Sequence, residues 1–278
     1  TLTAIKFVPN IKPRTRQRFD WIGGALFLVA FLAFLLSLTY GQEAGFADPV
    51  VVVGTLIAVA AFALFIAAER RVAQPMVDLT LFKSSDLSVN LLTGFLQFVS
   101  IAGLLILLPF YLSDTLGYAT LEVGFLLAAV PITLGILAPL SGSLSDRLGT
   151  RPVTVAGLVV TLVGYVAARL VYAVDTTAME FVVVGLIIGA GIGLFQSPNN
   201  SAILGSVPRE RLGITSGMLT INRISGQIVG IAVLGTVWAT RTVAYAGGGT
   251  AESAPPAAQA EGLSDTLLVP IALMIVAL

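Results

Sequence analysis

The chain has 278 residues, of which 56% are hydrophobic and only 11% are charged, and its 15 basic side chains balance its 15 acidic ones. Soluble domains carry about 25% charged residues, so this composition excludes an ordinary soluble protein and indicates a membrane protein. The absence of Cys and His from the sequence excludes disulfide frameworks, zinc sites and His- or Cys-dependent catalysis. We therefore expect no enzyme, no metal and no cofactor, and the zero net charge argues against a nucleic-acid partner.

Eight stretches of the chain are almost free of charged residues, and a helix needs about 20 apolar residues to cross a membrane. They cover residues 21–40, 50–68, 89–112, 123–144, 153–174, 181–204, 214–240 and 267–278. Only the fifth and the seventh stretch contain a charged residue, Arg169 and Arg223 respectively. Because the last stretch is too short to span, the pattern predicts an all-α polytopic membrane protein with about seven complete transmembrane helices and a truncated eighth.

The basic residues of the loops predict an orientation, because short loops rich in Lys and Arg are retained on the cytoplasmic side. Twelve of the 15 basic residues fall in one alternating set of loops: Lys6, Lys12, Arg14, Arg16, Arg18, Arg70, Arg71, Lys83, Arg147, Arg151, Arg209 and Arg211. The other set of loops is mostly acidic: Glu43, Asp48, Asp114, Asp175, Glu180, Glu252, Glu261 and Asp265. We expect a multi-pass protein of the plasma or inner cell membrane, with the N-terminal end of this chain in the cytoplasm.

Polar segments divide the chain into four parts. Residues 1–19 are predicted to be a basic cytoplasmic linker, 20–68 a helix hairpin, 69–88 a second cytoplasmic linker, and 89–278 a six-helix bundle whose last helix is truncated. The six helices of this bundle can form two inverted groups of three, which is a frequent arrangement in transporters. Residues 246–262 are low in complexity, which predicts a mobile external loop.

A loop motif follows the fourth stretch. Gly142 and Gly149 frame an acidic residue, Asp146, and two arginines, Arg147 and Arg151, lie beside it. Glycine permits a tight turn between two helices, and a carboxylate is favoured near the N-terminus of the following helix. The spacing resembles the cytoplasmic loop motif G-x-x-x-D-R-x-G-x-R of the major facilitator superfamily and is complete at all five positions.

Further segments resemble the 14-helix drug:proton antiporter branch of that superfamily, the multidrug exporters. They are FDWIGG (19–24), PMVDLTLF (75–82), LPFYL (108–112), SPNNSAILGSVP (197–208) and GITSGMLTINRISGQIVGIA (213–232). The resemblance implies a major facilitator helical bundle, in which the hairpin is the extra central pair of helices and the six later helices form the C-terminal half. It also implies a partner outside this chain, the missing N-terminal six-helix half. No segment matches the antiporter motif of the family's fifth helix.

Polar residues within a membrane are costly and usually face other helices or a watery cavity. Two stretches each place four such residues on one helical face. They are Asn90, Thr93, Gln97 and Ser100 in the third stretch, and Ser216, Thr220, Arg223 and Gln227 in the seventh. We interpret both stripes as walls of a substrate or coupling cavity. The alternative is that they form interhelical hydrogen bonds that hold the bundle together.

Three further charged residues lie within or beside the stretches. Arg223 is the one deep charge, and we expect it to pair with a carboxylate of the missing half or to tune the proton affinity of that carboxylate. We expect the Arg169 side chain to extend to the lipid headgroups from the outer end of its helix. Glu122 lies in the first turn of a helix, where its carboxylate is favoured by the positive end of the helix dipole. The alternative is that Glu122 attracts cations or protons at the outer mouth. With no acidic residue deep in any stretch, we expect the proton carrier to lie outside this chain.

These features favour a secondary active transporter that exports drugs or other amphipathic or cationic small molecules in exchange for protons, by alternating access. Its partners are then a small-molecule substrate, protons and the lipid bilayer. A first alternative is a major facilitator exporter or importer of a metabolite, lipid or siderophore. A second alternative is a structural membrane subunit without transport activity, in which the polar stripes serve only packing.

Overall fold

The computed structural model describes residues 20–72 and 84–278, and within this part all the regular structure is helical. Eight helices are long and apolar enough to cross a membrane. They are α1 (Trp21–Ala44), α2 (Pro49–Glu69), α3 (Ser85–Thr115), α4 (Thr120–Leu148), α5 (Thr150–Val171), α6 (Ala178–Gly205), α7 (Leu212–Ala246) and α8 (Pro256–Ala277). The predicted all-α class is confirmed. The predicted linker 1–19 and residues 73–83 of the second linker lie outside the described residues.

Helices α1 and α2 form the hairpin. Asp20 caps α1 by accepting a hydrogen bond from the Gly23 N–H at 2.9 Å, and Asp48 caps α2 by accepting one from the Val50 N–H at 2.8 Å. Between the two helices, Gly54 packs directly against the Ser37 side chain. Both helices are apolar around most of their circumference, and most of their large side chains are exposed on the isolated fold, as expected for helices that face lipid.

Helices α3 to α8 form a bundle with a continuous apolar core. Large side chains from several helices are almost completely buried in it: Leu112, Leu158, Tyr165, Phe195, Leu234, Leu267 and Met274. Close helix pairs depend on glycine, since lipid offers no hydrophobic force to drive helices together and backbone contact replaces it. Gly230 of α7 lies against the backbone of Val99 in α3, and Gly157 of α5 lies against the backbone of Phe195 in α6.

Two spans are irregular near prolines. The α-helical part of α3 ends at Phe110, directly after Pro109, and its last five residues, Tyr111–Thr115, form a π-helical turn. Helix α4 is interrupted by a turn at Ala128, three residues before Pro131. A proline removes one backbone N–H and crowds the preceding turn, which accounts for the turn at Ala128.

The last helix differs from its prediction. It begins at Pro256 and runs to Ala277, which is 22 residues, with a single turn residue at Leu267. The expectation of a truncated eighth span starting at residue 267 is therefore wrong: the helix is long enough to cross a membrane. The expectation of a mobile loop over 246–262 is also wrong for its second half, because Pro256–Thr266 is helical and Ala258, Gln259 and Ala260 are buried.

Polar contacts explain why this low-complexity segment is helical. Gln259 is 5% exposed, and its side chain accepts a hydrogen bond from the Thr115 hydroxyl at 3.1 Å and donates one to the Ala254 carbonyl at 3.0 Å. The Tyr245 hydroxyl donates to Asp265 at 2.9 Å. Since α8 is held to both α3 and α7 by these contacts, small residues suffice to fill the spaces between the helices.

Candidate functional site

A small polar cavity lies between α6 and α7. Its volume is about 210 Å³. It is lined by Gln196 and Asn200 of α6, by Ser216, Leu219, Thr220 and Arg223 of α7, and by Phe98 of α3. Five of these seven side chains can form hydrogen bonds, which is unusual between membrane-spanning helices and marks the cavity as a candidate site for a polar group of a ligand. We call it the polar cavity.

The contribution of α7 to the polar cavity follows from the predicted stripe. Ser216, Thr220 and Arg223 occupy positions i, i+4 and i+7 and all three line the cavity. The Ser216 hydroxyl donates to the Leu212 carbonyl at 2.8 Å, and the Thr220 hydroxyl donates to the Ser216 carbonyl at 3.1 Å. Because each hydroxyl has one proton and donates it to a carbonyl of its own helix, both hydroxyl oxygens remain available to the cavity only as acceptors.

Arg223 is the main source of donors in the polar cavity. Its side chain is exposed, and it forms no hydrogen bond or ion pair with any other residue that the structure describes. A guanidinium carries five N–H donors, and an Arg at the centre of a membrane helix costs about 2.5–3.5 kcal/mol unless it is hydrated or paired. The site is therefore chemically incomplete without water, a substrate acceptor or a carboxylate.

Two residues of the polar cavity were missed by sequence reasoning. Gln196 and Asn200 are both half-buried and lie four residues apart on α6, so they share a face. Their amides add donors as well as acceptors beside Arg223. The signal in the sequence is the i, i+4 amide pair, which lies at the end of an otherwise apolar stretch rich in small residues.

The neighbouring Asn199 turns away from the cavity. It is 3% exposed, and its amide nitrogen lies near Gly94 of α3, where a Cβ would be 3.2 Å from it. Asn222 reaches the same part of α3 from α7, since its amide donates to the Leu91 carbonyl at 3.0 Å. The Asn222 hydrogen bond therefore joins α7 to α3, and Asn199 packs between α6 and α3.

The stripe on α3 does not line the polar cavity. Gln97 is 1% exposed and donates to the Thr161 hydroxyl of α5 at 3.3 Å, while Ser100, which is fully buried, donates to the Leu96 carbonyl at 2.9 Å. Asn90 and Thr93 donate to the backbone of their own helix. Among the four, the Gln97 contact is an interhelical hydrogen bond of the kind that the packing alternative predicts, whereas Asn90, Thr93 and Ser100 donate within α3. Gln227, the last member of the α7 stripe, is half-buried and is not among the residues that line the cavity.

The loop motif forms a one-residue connection between α4 and α5. Gly149 has φ 87° and ψ 158°, a backbone conformation that favours glycine, and its N–H donates to the Ser145 carbonyl at 2.9 Å. Gly142 faces α6 with the Ser197 hydroxyl 3.4 Å from the position of a Cβ. Asp146, Arg147 and Arg151 are exposed on this end of the fold and form no ion pair among the described residues.

The remaining two charged candidates have structural partners. Glu122 is exposed and accepts a hydrogen bond from the Ala119 N–H at 2.9 Å, which caps the N-terminus of α4. Arg169 donates to the Ser264 hydroxyl of α8 at 2.6 Å. The expectation that Arg169 extends to the headgroups is therefore wrong in this structure, because its guanidinium joins α5 to α8 instead.

Comparison with known proteins gives the chain a family. A model of the major facilitator superfamily matches residues 91–251, which is more than half of the chain. The multidrug resistance protein Stp of Mycobacterium tuberculosis is 32% identical over 224 residues, which are 80% of this chain and 41% of Stp. The uncharacterised transporter YebQ of Escherichia coli is 30% identical over 84% of this chain and 51% of its own length.

A third relative is the quinolone resistance protein NorB of Staphylococcus aureus, which is 27% identical over 86% of this chain and 52% of NorB. The chain thus spans about half the length of the curated relatives it matches. The family match covers most of the helices that build the polar cavity, from α3 to α7. This chain is a multi-pass membrane protein that belongs to the major facilitator superfamily.

Proposed function

We propose that this chain is the C-terminal part of a secondary transporter that exports amphipathic or cationic drugs in exchange for protons. The observation that carries the proposal is the polar cavity, in which Arg223 lies without a described partner beside the amides of Gln196 and Asn200. The names of Stp and NorB connect similar chains with multidrug and quinolone resistance. The membrane is the plasma or inner cell membrane, with residue 1 on the cytoplasmic side, as the basic loops indicate.

Arg223 gives a physical route to proton coupling. In the proposed mechanism, an ionised carboxylate of the other half of the transporter pairs with the Arg223 guanidinium. When this carboxylate takes up a proton and becomes neutral, the ion pair breaks. An ion pair in a medium of low dielectric is strong, so protonation of the carboxylate changes the interaction between the two halves substantially. Within the described residues, no Asp or Glu lines the polar cavity, which supports the proposal of a proton carrier in the other half.

The amides and hydroxyls of the polar cavity then contact the substrate. Gln196 and Asn200 offer donors and acceptors, whereas Ser216 and Thr220 offer acceptors. Phe98 supplies an aromatic face to the same cavity, which suits a planar or cationic drug. A mixed lining of this kind binds ligands of varied structure, since no single polar group has to be matched.

The test is transport by the intact protein in proteoliposomes with an imposed pH gradient and ethidium as the substrate. We expect Arg223→Ala to reduce proton-driven efflux at least 100-fold. The matched control is Arg241→Gln at the other end of the same helix, where the Arg241 side chain is 61% exposed and lies 3.8 Å from Asp265. This exposed pair contributes little, so efflux by the control should stay within twofold of the wild type. Undiminished efflux by correctly inserted Arg223→Ala protein would falsify the proposed role.

The loop motif is proposed to hold one conformation of the transporter closed. Asp146 and the two arginines are exposed on the end of α4 and α5, where the other half of a transporter can meet them. We expect Asp146→Asn to change turnover at least fivefold and to alter the labelling of single cysteines placed on either side of the membrane. Ser143→Asn in the last turns of the same helix is the control, since Ser143 is exposed and its hydroxyl donates to the Leu140 carbonyl of its own helix. Unchanged turnover together with unchanged labelling would exclude the latch.

A further inference from the structure

A second, larger cavity lies between the hairpin and the bundle. Its volume is about 850 Å³ and it is partly open to the outside of the fold. Helices α1 and α2 form one wall, and α3 and α7 form the other. We call it the junction cavity. It shares no lining residue with the polar cavity, and the two cavities lie on different sides of α7, since Asn222 lines one and Arg223 the other.

The lining of the junction cavity is almost entirely apolar. Six of its 18 residues are phenylalanines: Phe27, Phe31, Phe34, Phe62, Phe65 and Phe95. Its polar residues are Ser88, Asn222 and Ser225, and the Asn222 amide is already bonded to the Leu91 carbonyl. Water needs two to four polar partners, so it is a poor occupant of such a lining. Protein interiors are close-packed, and a space of this size within hydrocarbon is expected to hold an apolar molecule.

Arginines and carboxylates both lie at one end of the junction cavity: Glu69, the last residue of α2, is buried, and Asp86 is exposed in the first turn of α3. Ile66 lines the cavity one helical turn before Arg70, and both Arg70 and Arg71 are exposed directly after the end of α2. Ser88 lies in the first turns of α3, and residues 70–84 connect the end of α2 to the start of α3. The α2 wall and the α3 wall of the cavity therefore reach the same side of the membrane at this end. This is the side that the basic loops predict to be cytoplasmic, where anionic lipids attract Lys and Arg.

We propose that the junction cavity binds an anionic phospholipid, with an acyl chain among the phenylalanines and the phosphate at Arg70 and Arg71. The combination of an apolar cavity with two exposed arginines one turn beyond its wall matches the two ends of such a lipid. The bound chain fills the space between hairpin and bundle, so the lipid joins the two parts of the fold. This inference does not depend on the proposed transport activity.

The first experiment measures lipid binding to the purified protein by native mass spectrometry, after delipidation and addition of phosphatidylglycerol or phosphatidylcholine. The test variant is Ala63→Trp, which places an indole in the cavity, and the matched control is Ala60→Trp, one turn earlier on an exposed face of α2 that does not line it. We expect Ala63→Trp to lower bound phosphatidylglycerol at least fivefold and Ala60→Trp to leave it unchanged. Equal binding by both variants would overturn the proposal.

The headgroup is tested with Arg70→Gln/Arg71→Gln. We expect the wild type to bind phosphatidylglycerol more tightly than phosphatidylcholine, and this preference to disappear in the double variant while an acyl chain is still bound. A wild-type protein without any preference would refute the assignment of the arginines. Retention of a drug-like dye in place of lipid, blocked by Ala63→Trp, would also overturn it, since the cavity would then hold cargo.

A measurement on the wild-type protein covers the case in which the Trp variants fail to fold. A phosphatidylglycerol with a photoreactive diazirine in its acyl chain is added in liposomes, and crosslinked peptides are sequenced. We expect crosslinks concentrated at Phe62, Phe65 and Phe95 over the lipid-facing Val53 and Leu56 of α2. Crosslinks spread evenly over the exposed faces would show annular lipid only and would reject the site.

Discussion

Replacing Gly230 by Ala tests the packing of α7 on α3, which positions the polar cavity. A Cβ at this position would lie 2.8 Å from the carbonyl carbon and 2.9 Å from the Cα of Val99, with the carbonyl oxygen closer still. These are backbone atoms, so the clash is relieved only by moving one helix away from the other. Overpacking of this kind costs about 1–3 kcal/mol.

The intrinsic preference of Ala over Gly in a helix opposes this cost by up to about 1 kcal/mol. The expected net destabilisation is therefore about 0–2 kcal/mol relative to the wild type and about 1–3 kcal/mol relative to an unclashed Gly-to-Ala change on the same helix, which corresponds to a thermal midpoint several degrees lower than that of the control. Gly235→Ala is the matched control on the same helix, because a Cβ there meets no atom within 4 Å. The control should be neutral or slightly stabilising.

The assay is thermal unfolding of the purified protein in detergent, followed by intrinsic tryptophan fluorescence. Trp238 is a suitable reporter because it lies on α7 beyond both glycines and its indole N–H donates to the Gln259 carbonyl at 3.4 Å. A Gly230→Ala protein as stable as Gly235→Ala would show that α3 and α7 are not in backbone contact, and the position assigned to the polar cavity would lose its support.

Two further predictions concern single polar side chains. Gln196→Ala should weaken binding of ethidium, measured by fluorescence titration, about fivefold to tenfold, because a lost hydrogen bond is worth about 1–1.5 kcal/mol. The control is Thr240→Ala, which should leave ethidium binding unchanged, because the Thr240 hydroxyl donates to the Thr236 carbonyl of its own helix. Gln259→Ala leaves the Thr115 hydroxyl and the Ala254 carbonyl without their hydrogen-bond partner. The backbone amides of residues 256–266 should therefore exchange hydrogen at least tenfold faster. Glu261→Ala, on the exposed side of the same helix, should not change this exchange rate. Unchanged exchange in the Gln259 variant would contradict the role assigned to that side chain.

Sequence alone determined the class of the protein and most of its helices. Charged residues are too costly within the bilayer to be scattered at random, so their scarcity marks each span from α1 to α7. The loop motif from Gly142 to Arg151 indicates the family from sequence alone, because all of its residues belong to one local turn and their spacing is visible without the fold. Arg223 was recognisable for the same reason of cost, as a charge deep in an apolar stretch.

Tertiary structure decided which faces of the helices meet. Membrane helices are apolar on their lipid side as well as on their packed side, so periodicity does not reveal which polar stripe lines a cavity. The two polar stripes look alike in the sequence but lie in different environments. Gln97 of the α3 stripe forms a hydrogen bond with α5 inside the bundle. Ser216, Thr220 and Arg223 of the α7 stripe line the polar cavity together with Gln196 and Asn200 of α6.

The start of α8 and the junction cavity were equally beyond sequence reasoning. Residues 256–266 have a composition typical of a loop, and they are helical because Gln259, Ser264 and Asp265 find partners on α3, α5 and α7. The junction cavity exists because two separate helix pairs meet without filling the space between them. Both features depend on contacts between residues far apart in the chain, whereas the sequence pattern reports only what each segment prefers by itself.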